Sequence, residues 1–127
     1  MKKLLLFVSI LVLFASANLT AGCGINTKMF SESATNINVR VNEKFGIVLD
    51  TNLTTGYNWN QSNDPTMIEL VDRTYRKGEH AKSTGGSGVE YFTFKALKAG
   101  ETKITMTYER PWEKETIKEV VFTVIIQ

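Results

Sequence analysis

The feature that most constrains what this chain can fold into is a period of two. Ile37, Val39 and Val41 alternate with Asn38, Arg40 and Asn42, and Phe45, Ile47 and Leu49 continue the pattern. Phe92, Phe94 and Ala96 oppose Tyr91, Thr93 and Lys95; Ile104, Met106 and Tyr108 oppose Thr105, Thr107 and Glu109. Successive side chains of an extended chain point to opposite faces, so each run predicts a strand with one buried face. Ile68 and Leu70, with Val71, mark a weaker strand. Tyr57 and Trp59 mark a short aromatic one, whose tryptophan is expected between the sheets. Val120, Phe122, Val124 and Ile126 close the chain. Val121 and Ile125 add apolar residues of the other parity, which predicts a last strand covered on both faces or lying mid-sheet. Turn chemistry such as Asp64-Pro65 and Lys98-Ala99-Gly100-Glu101 separates the runs, and no helical stripe follows the leader. The prediction is an all-β fold, an Ig-like antiparallel β-sandwich of about seven or eight strands.

The 127 residues allow one domain behind a leader. Lys2 and Lys3, then an apolar run from Leu4 to Phe14, then small residues follow the order of a secretory signal, and the run is too short to span a bilayer comfortably. Two cleavage sites compete. Ala15-Ser16-Ala17 satisfies the small-x-small rule. Leu19-Thr20-Ala21-Gly22-Cys23 resembles a bacterial lipobox, in which Cys23 becomes the lipidated first residue. The first site gives a secreted or periplasmic protein; the second gives a cell-envelope lipoprotein whose membrane contact is the anchor at Cys23. Residues 1–23 are therefore read as the leader, 24–35 as a polar tether and 36–127 as the folded domain. Cys23 is the only cysteine, so no internal disulfide is available and the core alone must stabilise the domain. The net charge of +2 leaves with Lys2 and Lys3, and a neutral chain lacks the basic stripe that nucleic acid requires.

Catalysis and metal binding find little to work with. A nucleophile needs a base and an orienting group, and a metal site needs several donors at matched spacing. His80 is the single histidine and reads as a solvated loop residue. No catalytic residue, cofactor or metal is expected, and a Ca²⁺ site on Asp50 and Asp64 is the one metal alternative. Three loops remain. The first is Asn52-Leu53-Thr54-Thr55-Gly56-Tyr57, with small hydroxyl residues and a glycine that permits positive φ. The second is Gly85-Gly86-Ser87-Gly88, within a charged, glycine-rich surface loop over 77–88; it lacks the lysine and the following helix of a phosphate loop. The third is Arg110-Pro111-Trp112-Glu113. In Ig-like strand order these are the B–C, D–E and F–G connections, which can share one end. Each alone also has a plain structural reading: a tight turn, a flexible hairpin tip, and a tryptophan folded back onto the core.

Together the three resemble the motifs of the chagasin family, exported inhibitors of papain-like cysteine peptidases. That family's first motif reads Asn-Pro-Thr-Thr-Gly-Tyr/Phe, its second Gly-x-Gly-Gly and its third Arg-Pro-Trp; counterparts of all three occur here in order, the third unchanged and the first two with one substitution each, over a span from about Asn36 to Gln127. The resemblance implies a peptidase-binding edge made of Asn52, Leu53, Thr54, Thr55, Gly56, Tyr57, Gly85, Gly86, Ser87, Gly88, Arg110, Pro111 and Trp112. It implies that the Thr-Thr-Gly loop covers the catalytic centre while the other two flank it, and that inhibition is reversible occlusion by a monomer. On that reading Thr55 offers a hydroxyl and backbone amides, Gly56 lets the backbone approach closely, and Arg110 acts at the interface or braces its own loop. Leu53 stands where the family has proline and Ser87 where it has glycine, which implies a looser first loop and an altered second one. The competing expectation is an Ig-like envelope module that binds another protein or a glycan.

Overall fold

Alternation becomes two packed layers. The computed structural model describes residues 26–78, 87–113 and 115–127; the leader with Cys23, and His80, Gly85 and Gly86, lie outside the described residues. In one sheet, β1 (Lys28–Phe30), β3 (Lys44–Asn52), β6 (Ser87–Ala96) and β5 (Ile68–Lys77) lie side by side in that order. In the other the order is β2 (Asn36–Val39), β8 (Thr116–Ile126), β7 (Gly100–Glu109) and β4 (Asn58–Asn63).

Two pairings depart from the expected antiparallel arrangement: β1 runs parallel to β3, and β2 parallel to β8. The cause is connectivity. Each connection reverses the chain, so strands whose numbers differ by two or six run the same way when the sheets place them side by side. The same rule puts every odd-to-even connection at one pole. Residues 53–57, the strand ends Lys77 of β5 and Ser87 of β6, and residues 110–113 therefore share an end, as the Ig-like order implies. The far pole holds the start of β1 and the end of β8.

The core fills from the inner faces. Phe45, Ile47 and Leu49 are buried against Phe92 and Phe94, with the Phe45 and Phe94 rings stacked at 5.6 Å. Ile104, Met106, Phe122 and Val124 supply the opposite layer. Each such side chain contributes about 1.5–3 kcal/mol. Trp59 is buried between the layers as expected, and its Nε1 donates to Asp50 O at 2.9 Å.

The structure revises several local readings. The stretch read as a tether contains β1, and Phe30 packs edge-on against Phe45 at 6.4 Å. Val41 does not extend its run: β2 ends at Val39, and Val41 sits exposed in the turn to β3. Val71 is exposed because the register slips between Leu70 and Asp72, a bulge that turns Arg73 and Tyr75 toward the inner face. β8 does lie mid-sheet between β2 and β7, but Val121 and Ile125 are exposed, so one of its faces is open. Ser87 and Gly88 belong to β6 and not to a loop.

Candidate functional site

The first loop is held by its own side chains. Asn52 ends β3 in an extended conformation, φ −134° and ψ 100°, and caps a 3-10 turn over Leu53–Thr55. Its Oδ1 accepts from Thr54 N at 3.1 Å and from Thr54 Oγ1 at 2.6 Å. Thr55 Oγ1 donates to Asn52 O at 2.8 Å and lies 3.4 Å from Tyr57 N. Gly56 closes the turn with φ 79°, a left-handed value that favours glycine, and its N–H donates to Leu53 O at 3.3 Å. Each threonine hydroxyl thus spends its one proton inside the loop and keeps acceptor capacity. Thr54 and Thr55 are exposed, as is the Leu53 side chain beside them.

Arg110 joins the third loop to the first. Its Nε donates to Thr55 O at 3.0 Å and its Nη1 donates to Glu113 Oε1 at 2.9 Å. The guanidinium lies 4.3 Å from the Tyr57 ring centre and 6.0 Å from that of Trp112. A backbone bond from Glu113 N to Arg110 O closes the turn at 3.1 Å. Arg110 thus braces two loops, not its own alone. Trp112 is 70% exposed, which rules out the reading that it folds into the core. Its indole tip still touches the first loop: a Cβ on Gly56 would lie 2.7 Å from Trp112 Cη2. The glycine therefore serves the close approach of its own tryptophan, a use the sequence reading did not include.

Beneath the loops runs an aromatic column that the sequence reading missed. Trp59 stacks on Tyr108 at 4.9 Å, Tyr108 meets Tyr57 at 5.3 Å, and Tyr57 carries the Arg110 guanidinium. Tyr108 Oη also accepts from Asn52 N at 3.1 Å, binding the root of the first loop to the opposite sheet. The available signal was parity, since Tyr108 shares the inner face with Ile104 and Met106 only two residues before Arg110. Glu109 anchors the base of the third loop, accepting from Asn60 Nδ2 at 2.8 Å and from Thr116 Oγ1 at 3.1 Å.

Gly85 and Gly86 lie outside the described residues, but the rest of the second motif is placed. Ser87 pairs with Asn52 and Gly88 with Thr51, so the second motif rises beside the first. Gly88 is required by packing: a Cβ there would meet Arg76 O at 2.3 Å and the Tyr75 hydroxyl at 2.9 Å. Ser87 needs no positive φ, because Asn42 is the sole non-glycine with one among the described residues. Serine therefore fits this strand position without strain. Asp50 and Asp64 are not brought together. Asp50 lies near the loop pole opposite Val89, whereas Asp64 lies at the far pole and accepts from Thr66 N and Thr66 Oγ1.

Comparison with known proteins points the same way. Residues 38–126 match the family model described as chagasin family peptidase inhibitor I42. Amoebiasin-2 of Entamoeba histolytica is 30% identical over 99 residues, spanning 76% of this chain and 80% of the relative. The crystal structure of the cysteine protease inhibitor EhICP2 from the same organism superposes with a TM-score of 0.72 at 28% identity, covering 80% of this chain and 96% of that one. PbICP-C, solved in complex with falcipain-2, shares the fold with a TM-score of 0.56 at 19% identity, covering 80% and 91%.

Proposed function

The chain belongs to the chagasin family of peptidase inhibitors, and from that membership we propose how it acts. It is a cysteine peptidase inhibitor and not an enzyme. The first loop enters the active-site cleft of a papain-like peptidase, and the second and third loops flank it. The observation that carries this reading is the clasp between loops 53 residues and more apart in sequence: Arg110 Nε on Thr55 O at 3.0 Å, with an exposed indole beside it.

The loop chemistry supports occlusion without reaction. The threonine hydroxyls donate within the loop itself, and Leu53 and Trp112 add exposed aliphatic and aromatic surface. A fixed edge lowers the ordering cost of association, and a large rigid tryptophan is the residue type that dominates interface energies. The site residues are those implied by the motifs, with Arg110 acting as a brace.

Export is part of the same proposal, with Cys23 as the lipidated residue or Ala17 as the end of a cleaved signal. The chain enters the domain at the pole away from the loops, because β1 starts beside Phe45 and runs toward the loop pole. Cys23 lies five positions before Lys28, about 18 Å of extended chain at most. An anchor there would leave the binding edge facing away from the membrane. Asn52-Leu53-Thr54 is also a glycosylation sequon, and a glycan on Asn52 would cover that edge, so the proposal fits a host that leaves it unmodified.

The test is titration of papain with residues 24–127. A stoichiometric break in activity, with full recovery on dilution and an intact inhibitor chain, is the expected result. Cleavage of the first loop as activity returns, or no inhibition at high micromolar concentration, would overturn the reading. Serine peptidases are expected to be unaffected.

A further inference from the structure

The inner face of the first sheet changes character near the loop pole. Leu49 still packs in the core, but the next inner-face residue is Thr51, and Glu90 follows Phe92 toward the same end. Thr51 is 5% exposed and Glu90 3%. Leu49 pairs with Glu90 and Thr51 with Gly88, so Thr51 and Glu90 are diagonal neighbours on one face. Glu90 Oε2 accepts from Arg73 Nε at 2.7 Å. Its other oxygen, Oε1, and the Thr51 hydroxyl have no hydrogen-bond partner among the described residues.

Leaving such a group unmet costs about 1–3 kcal/mol, and two unmet groups side by side in a folded domain call for a ligand. We propose that Thr51 and Glu90 share one buried water. Diagonal partners in a sheet stand roughly 7–8 Å apart at Cα, a separation that one water can span between a hydroxyl and a carboxylate. Water fits better than a cation. Arg73 already balances the carboxylate, and one hydroxyl with one free carboxylate oxygen falls well short of the six or so oxygens that a hard cation gathers.

The placement gives this water a task. Thr51 is the residue before Asn52, which caps the first loop. Glu90 lies two residues after Gly88 and is clasped to β5 through Arg73. The water therefore joins the root of the first loop to the hairpin that bears the second motif. Thr51 and Glu90 are positioning residues for the binding edge and touch no peptidase. The positioning role rests on the inhibitor reading; the water site does not.

The experiment is water–protein cross-relaxation by NMR on residues 24–127, which contain every strand of the sandwich, alongside papain dissociation rates. Thr51→Val keeps the shape and removes the hydroxyl. The expected result is a long-lived water beside the Thr51 methyl, lost in Thr51→Val, with dissociation from papain accelerated about fivefold. Glu90→Gln, which keeps the size of the side chain, is expected to retain the water while weakening its hold. Absence of a resident water, or a direct Thr51–Glu90 hydrogen bond in a crystal structure, would overturn the site. A water lost in Thr51→Val with an unchanged dissociation rate would overturn the positioning role. Failure of the parent protein to inhibit papain would instead strike the inhibitor reading, because the water signal is read without peptidase.

Discussion

At the scale of single residues the proposed binding edge is a set of commitments already made in the free protein. Trp112 is exposed yet rests on Gly56, so truncating it removes contact surface without opening the core. Trp112→Ala is expected to weaken inhibition by about 2 kcal/mol or more, roughly thirtyfold, with an unchanged melting temperature. A calorimetric scan beside a titration checks both halves. Arg110 uses the fork of its guanidinium on two partners, and lysine cannot reproduce it. Arg110→Lys is expected to cost roughly 1 kcal/mol of inhibition, read as a faster dissociation rate in surface-binding kinetics. Leu53 occupies the first position of the 3-10 turn behind an extended Asn52, the two conditions that proline accepts. Leu53→Pro is expected to raise stability by about 0.4–1 kcal/mol in urea unfolding. Trp59 was legible as core because it lies in a short aromatic strand. The Arg110–Thr55 clasp was not, because its partners are distant in sequence and meet only once the loops share a pole.

At the scale of elements, alternation carried most of the information. Apart from Val41, which falls in the turn after β2, the runs in β2, β3, β6, β7 and β8 stand where their parity placed them. β1 escaped because three residues, Lys28, Met29 and Phe30, are too few to show a period, and they are held by pairing with β3 and by the Phe30–Phe45 contact. The start of β6 escaped for a different reason. Gly88 looked like loop material, but a glycine in a strand also marks a place where another backbone comes close, here Arg76 O. Gly88→Ala is therefore expected to destabilise the β5–β6 hairpin by roughly 1–3 kcal/mol through overpacking. The loss would register in urea unfolding and as faster amide exchange over residues 73–78 and 87–92.

For the whole molecule, the chain reversals divide duties between two poles. The loop pole holds the first and third motifs and, of the second, Ser87 and Gly88. The far pole holds two carboxylates stabilised in their charged form: the Arg40 backbone N–H, with Lys28 beside it, lowers the Glu43 pKa, and the Thr66 hydroxyl and N–H lower that of Asp64. A carboxyl whose folded pKa is depressed stabilises the fold above its unfolded value, and that stability is lost as pH falls through the lower, folded value. The melting temperature is thus expected to fall below pH about 4, and Glu43→Gln with Asp64→Asn to flatten that decline. Asp64 is exposed, Glu43 is half-buried, and both are far from the loops, so the edge itself is expected to keep its affinity at mildly acidic pH. The most direct test of the account is amide exchange of residues 24–127 with and without papain. Protection confined to the first loop, the second motif and residues 110–113 is the expected outcome. Protection centred on the β2–β3 and β6–β7 turns at the far pole would contradict it.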